Sequence, residues 1–226
     1  MDGGLGDDQL EGGLGDDLYI VDSPNDFVIE RLNEGYDTVE SGVSLTLGNH
    51  LEALTLTGTA TVGIGNDLDN QLTGNSLGNR LSGEAGNDRL VGGDGKDVLI
   101  GGDGNDRLIG EQGRDRMIGG RGKDTFVLTK ARRSRRETIR DFRSVDDTIE
   151  IVRSGFSDSL KLGRVRASQF RLGTSAEDSS DRFIYNRRSG MLFFDADGVG
   201  GVGQVQIARL TNRAALNRTD LIVVDL

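Results

Sequence analysis

The sequence predicts an all-β chain, a parallel β-solenoid of nine-residue repeats closed at its C-terminal end by a β-rich module. Three observations predict it. From Gly83 to Val127 five units follow without a break: GEAGNDRLV, GGDGKDVLI, GGDGNDRLI, GEQGRDRMI and GGRGKDTFV. The 226 residues include 35 glycines, no tryptophan and only 5% aromatics, too little apolar surface for a large conventional core. Outside the array, β-branched residues alternate with polar ones, as in strands with one buried face.

Every unit from Gly83 has glycine at positions 1 and 4, aspartate at position 6 and an apolar residue at position 8. The first six residues therefore read as a turn and the last three as a strand. The strands point Leu90, Leu99, Leu108, Met117 and Phe126 inward, forming a narrow seam that one repeat alone cannot bury. Two units make one 18-residue coil, so alternate units stack. That aligns Asp88, Asp106 and Asp124 on one edge and Asp97 with Asp115 on the other.

A column of carboxylates spaced by about 4.8 Å repels itself unless cations lie between its members. Calcium suits the gap, because it takes six to eight hard oxygens and glycine-rich turns expose backbone carbonyls beside each carboxylate. Magnesium demands stricter octahedral geometry. Zinc prefers His or Cys, and the chain has one histidine and no cysteine.

The array resembles the RTX family of secreted toxins, proteases, lipases and epimerases. The resemblance implies a right-handed parallel β-roll with calcium ions between turn n and turn n+2. It assigns as ligands the position-6 side chains of Asp88, Asp97, Asp106, Asp115 and Asp124. The implied carbonyl ligands at positions 1 to 4 fall on Gly83, Ala85 and Gly86; Gly92, Gly93, Asp94 and Gly95; Gly101, Gly102, Asp103 and Gly104; Gly110, Gln112 and Gly113; and Gly119, Gly120, Arg121 and Gly122.

Other units are degenerate. GNDLDNQLT from Gly65 and GNSLGNRLS from Gly74 place Asn70 and Asn79 at position 6, so this end is expected to bind weakly or to act as a ligand-poor cap. Two units open the chain, GGLGDDQLE from Gly3 and GGLGDDLYI from Gly12. Their Asp8 and Asp17 have nothing upstream to pair with and read as truncated sites, as if cut from a longer array. Residues 18–64 read as irregular coils of the same solenoid. Within them Gly35-Tyr36-Asp37-Thr38-Val39 imitates positions 4 to 8, making Asp37 a candidate extra ligand.

These signals divide the chain into truncated repeats (1–17), irregular strands (18–64), the calcium-binding roll (65–127) and a β-rich cap and secretion module (128–226). Residues 1–128 carry 9 basic and 24 acidic side chains, a net −15. Residues 129–226 carry 18 and 13, a net +5. The acidic part needs cations to become compact.

In the last part, Thr138 to Ile151 resembles the strand pair that follows the roll in serralysin-like proteases. By that likeness Asp141 and Asp147 are candidate ligands of a terminal ion. Ile139, Phe142, Ile149 and Ile151 are expected to cover the last coil. Residues 181–210 read as two or three antiparallel strands with a glycine-rich turn. Asp220-Leu221-Ile222-Val223-Val224 is similar to the uncleaved signal of proteins exported by type I secretion machinery, which implies an extracellular or cell-surface bacterial protein.

Catalytic signals are missing. The sequence contains neither HExxH nor GxSxG, and His50 stands alone in a turn-like Gly48-Asn49-His50 context. Asp195-Ala196-Asp197-Gly198 has carboxylates spaced as in a calcium loop but no Glu at its twelfth position, and reads as a plain turn. Arg132, Arg133, Arg135 and Arg136, with Arg164, Arg166, Arg187 and Arg188, make the last module basic. Such a surface suits anionic polysaccharide or a cell surface, or simply balances the acidic roll. Nucleic acid is disfavoured because no aromatic residues interleave with the arginines. No run of residues reaches the roughly 18 apolar positions of a membrane span.

Overall fold

The computed structural model describes residues 1–131, 136–199 and 203–225; Arg132, Arg133 and Arg135 lie outside them. Two ten-stranded sheets run the length of the solenoid. The first holds the parallel strands Leu18–Val21, Thr38–Ser41, Ala53–Leu56, Gln71–Thr73, Arg89–Val91, Arg107–Ile109, Thr125–Leu128, Thr148–Val152 and Leu221–Val224, and ends on antiparallel Gly163–Arg164. The second holds Leu45–Thr46, Val62–Ile64, Arg80–Ala85, Val98–Asp103, Arg116–Arg121, Glu137–Ile139 and Val205–Leu210 in parallel. Met191–Phe194 and Phe183–Asn186 then add antiparallel, and Phe170–Leu172 completes the edge. The only helices among the described residues are three single 3₁₀ turns, and none is long and apolar enough to cross a membrane.

The 18-residue coil is visible in the strand register, where Leu90 pairs with Leu72 on one side and Leu108 on the other. One inward column consequently runs Tyr19, Val39, Leu54, Leu72, Leu90, Leu108, Phe126, Ile149 and Leu221. The facing column runs Gly63, Leu81, Leu99, Met117, Ile139 and Leu210. Their apolar side chains are fully buried and belong to one core. Each buried Leu or Phe contributes roughly 1.5–3 kcal/mol. The seam is only about two side chains wide, so apolar burial alone leaves little margin over chain entropy.

Residues 18–64 are coils of this solenoid, as their alternation predicts, and their strands continue the first sheet without interruption. At the other end the parallel coil continues through Thr148–Val152 and Leu221–Val224, and the antiparallel strands of residues 183–210 close the second sheet. Ile139, Phe142, Ile149 and Ile151 are all buried there, as expected of a cover. Phe142 lays its ring against Phe126, centroids 6.0 Å apart, where the glycine rhythm stops. The last strand is held at both ends. Asp220 accepts from Ser144 Oγ and caps the turn begun by Asn217, and Arg153 makes a bidentate pair with Asp225.

Phe142→Ala opens the lid of the last repeat coil and should destabilise the calcium-saturated protein by about 3–5 kcal/mol, the usual cost of a buried Phe truncation. Urea unfolding at saturating calcium measures it. An unchanged midpoint would show that the roll does not depend on this cover.

Candidate metal centre

The repeat turns place every position-6 carboxylate in the same way. One oxygen accepts the backbone N–H of the position-6 residue one coil earlier: Asn70 to Asp88 (2.7 Å), Asp88 to Asp106 (2.9 Å) and Asp106 to Asp124 (3.1 Å). On the opposite edge Asn79 donates to Asp97 (2.7 Å) and Asp97 to Asp115 (2.9 Å). These are the two edges that the repeat spacing predicts. The second oxygens, Oδ2 of Asp88, Asp97, Asp106 and Asp124, are buried and accept no hydrogen bond. A buried ionised oxygen without a partner costs several kcal/mol unless a cation or proton meets it.

The surroundings of those oxygens are built from carbonyls. A Cβ on Gly83 would lie 2.1 Å from Asp88 Oδ2 and 2.7 Å from the Gly101 carbonyl. On Gly101 it would lie 2.1 Å from Asp106 Oδ2 and 2.5 Å from the Gly119 carbonyl. A carboxylate oxygen and a carbonyl from the next coil thus converge on the space that the position-1 glycine leaves free. Position 4 is similar, since a Cβ on Gly104 would meet the Gly86 carbonyl at 1.8 Å, with φ at +145°. The position-3 carbonyls of Asp103 and Arg121 accept N–H groups of Gly86 and Gly104 (3.0 and 2.8 Å). Bare carboxylate oxygens, hard carbonyls and turns without side chains form the donor set that calcium takes.

Without a cation, burial raises these carboxyls, and nearby carboxylates add to the rise. Asp88, Asp97 and Asp124 are pushed up to about 7 and Asp106 to about 6, against the lowering effect of their backbone hydrogen bonds.

The asparagines meet the same geometry differently. Asn70 Oδ1 accepts the Asn66 N–H, and Asn70 Nδ2 donates to the Leu51 carbonyl (3.1 Å) and to Asn66 Oδ1 (3.2 Å). Asn79 repeats this with Asn75 and the Ala60 carbonyl. The amide oxygens of Asn70 and Asn79 therefore stand beside Gly65 and Gly74, where the aspartates present a bare Oδ2. Each already accepts an N–H, while the N–H₂ takes the place of the backbone-bonded oxygen.

At the downstream end, the N–H of Asp115 donates to Glu137 and that of Asp124 to Asp147, so each edge of the ladder is continued by one further carboxylate. Asp141 sits beside them and accepts from Gly119 and Gly120 (3.0 and 2.9 Å). Glu137 escapes a repeat-based reading because it follows Asp115 by 22 residues, not 18. Upstream, Asp8 and Asp17 are not isolated. Their N–H groups donate to Asp26 and Asp37, in the coils that follow. The N–H of Asp37 in turn donates to Glu52. Asp26 lies 18 residues after Asp8, the coil period, but its unit lacks glycine and hides the match.

His50 occupies a turn with φ +65°, as its context predicts. Asp195 Oδ1 accepts from Gly198 and Asp197, folding residues 195–198 into a tight turn. Arg136 lines a shallow groove with Arg114 and Arg209, while Arg187 and Arg188 border another with Tyr185.

A family model for the RTX calcium-binding nonapeptide repeat matches four stretches, residues 1–28, 64–99, 73–108 and 91–126. The chain carries RTX calcium-binding repeats. The matched residues contain the carboxylate ladder from Asp88 to Asp124, and RTX repeats bind calcium generally. The chain is also 39% identical over 59 residues to the endo-1,3-1,4-β-glycanase ExsH of Rhizobium meliloti (strain 1021). That stretch is 26% of this chain and 13% of the glycanase, so the chain spans a small part of that relative. Among solved structures, it is similar to the AlgE6R3 subunit of the Azotobacter vinelandii mannuronan C5-epimerase, at 27% identity and a TM-score of 0.28. The likeness covers 69% of this chain and 78% of that one.

Asp106→Ala removes a bare oxygen and strands the Asp88 N–H, costing about 1–3 kcal/mol before any lost ion is counted. Asn79→Ala removes only hydrogen bonds. Calorimetric titration should therefore show fewer calcium ions bound by the first variant and an unchanged number by the second. An equal loss in both would contradict the assignment.

Protons compete for the same oxygens. The folded carboxyls have raised pKa values, so the calcium-free roll gains stability as pH falls through about 7 and loses it as pH rises. In chelator, β-structure should grow between pH 8 and pH 6. The calcium concentration needed for folding should fall over the same interval, because protons already relieve part of the burial cost that calcium otherwise relieves. A calcium midpoint independent of pH there would exclude these carboxyls as the ligands.

Proposed function

We propose that this chain is a calcium-triggered folding region of a secreted or cell-surface bacterial protein, and that it is not itself an enzyme. The observation that carries the reading is the row of buried Oδ2 atoms at Asp88, Asp97, Asp106 and Asp124, each without a hydrogen-bond partner. At the submicromolar calcium of a cytosol the −15 segment repels itself and stays expanded, which suits passage through a secretion channel. At millimolar calcium outside the cell, ion binding supplies the free energy of folding.

The C-terminal strand supports the same direction. Leu221 and Val223, within the segment that resembles a type I secretion signal, are buried in the folded solenoid. A transporter that reads those residues reads them in the unfolded chain. Folding outside the cell then hides them, which gives the export step a direction.

A second reading is favoured by the groove that Arg114, Arg136 and Arg209 line together. Guanidinium groups pair well with carboxylates, so the groove suits a polyuronate chain. Similarity to a glycanase over 59 residues supports a polysaccharide context. Salt-sensitive retention on a uronate polymer, lost in Arg209→Ala, would support it.

The test of the first reading is a calcium titration followed by small-angle scattering. The chain should be expanded in chelator and compact at millimolar calcium, with a midpoint around 10⁻⁴–10⁻³ M as in extracellular modules. A compact chain in chelator at pH 8 would overturn it.

A further inference from the structure

We propose that Asp17, Glu30 and Asp37 form a calcium site of their own, separate from the Asp88–Asp124 ladder and completed by a glutamate outside the repeat pattern, with Tyr19 as its positioning residue. One carboxylate oxygen from each of the three lies within 4.8 Å of the others, and no other such group is present among the described residues. Three carboxylates confined to that distance repel one another until a cation or a proton joins them.

The cluster differs in construction from the ladder. Tyr19 occupies position 8 of its unit, where the intact array places Leu, Met or Phe. Its ring is fully buried in the core column, and its hydroxyl accepts the Gly12 N–H (2.7 Å) and donates to Glu30 Oε1. Glu30 comes from the excursion between the strands Phe27–Ile29 and Thr38–Ser41, which lengthens this coil to 20 residues between Tyr19 and Val39. The phenol turns that glutamate inward, to 8% exposure.

Two oxygens there accept no hydrogen bond, Glu30 Oε2 and Asp37 Oδ2, and both residues are more than nine-tenths buried. Asp37 Oδ1 is already taken by the Asp17 N–H at 2.8 Å. Asp17 Oδ2 lies beside Gly12, where a Cβ would come within 2.3 Å of it and 2.4 Å of the tyrosine oxygen. Carboxylate oxygens and a space kept free of side chains thus converge. Burial also raises both Glu30 and Asp37, as expected of acids awaiting a counter-charge. The all-oxygen donor set selects calcium or a lanthanide over zinc.

Bound calcium here would tie the 30–37 excursion to the coil beneath it. It would also order the upstream solenoid, where Asn70 and Asn79 remove the need for ladder ions. The site stands on residues separate from the Asp88–Asp124 ladder.

Terbium tests it directly, because it takes calcium sites and emits when a nearby tyrosine is excited. The chain has three tyrosines and no tryptophan, and none lies in the units from Gly83 to Val127. The wild-type chain with terbium should emit on tyrosine excitation. Glu30→Gln and Tyr19→Phe should each lose most of that emission, and Tyr36→Phe should keep it. Calorimetry should give one calcium fewer for Glu30→Gln, while its circular dichroism at saturating calcium stays like that of wild type. Should Glu30→Gln fail to reach that spectrum, Tyr19→Phe carries the comparison.

Absence of tyrosine-sensitised emission from the wild type overturns the site, as does emission unchanged in Glu30→Gln and Tyr19→Phe. Calcium-driven β-structure without the emission would leave the ladder standing and remove this site alone. Emission that persists in Asp106→Ala would show that the two sites are separate.

Discussion

Carboxylates buried one above another, each with one oxygen bonded to the backbone and the other bare, set the terms for everything else in this solenoid. The bonded oxygen fixes register, since it joins each coil to the one before it through an N–H at 2.7–3.1 Å. The bare oxygen makes the arrangement conditional, because a column of desolvated charges is unstable until a cation or a proton reaches it. Glycine at positions 1 and 4 follows from the same constraint. A side chain there would occupy the space into which carboxylate and carbonyl oxygens point.

Where a coil does without the ion, the chemistry changes in a consistent way. Asn70 and Asn79 turn the oxygen in the bare position to an N–H of their own unit and replace the backbone-bonded oxygen with a donor that finds a carbonyl of the earlier coil, so no oxygen is left bare. The upstream coils are also wider in their apolar content, with Val39, Leu47, Leu51, Leu54, Leu56 and Ala60 buried together. Downstream, Phe126, Phe142, Ile149 and Leu221 do the same. The acidic ladder therefore lies between two stretches that rely more on apolar packing, which gives cation-dependent coils ordered neighbours on both sides.

The nine-residue period made the two edges, the inward column and the 18-residue coil legible in the sequence, because every repeat imposes the same turn. Legibility ended where the spacing changed. Glu52 sits 15 residues after Asp37, Glu137 22 after Asp115 and Asp147 23 after Asp124, although all three accept the same backbone N–H. Only Asp147 had a family resemblance to mark it. Asp8 and Asp17 read as truncated because the sequence offers them no upstream partner, whereas their N–H groups bond carboxylates that follow. Glu30 left no periodic signal at all. The one local clue was Tyr19, a residue with a polar tip at a position otherwise filled by a hydrocarbon or thioether side chain.

The central claim is that the bare oxygens are calcium ligands, and a crystal structure of the chain grown in calcium tests it most directly. Anomalous difference density should appear beside Oδ2 of Asp88, Asp97, Asp106 and Asp124, with none beside the side-chain amides of Asn70 and Asn79. An ordered roll with water or solvent-accessible space at those four oxygens, and no anomalous signal, would contradict the account.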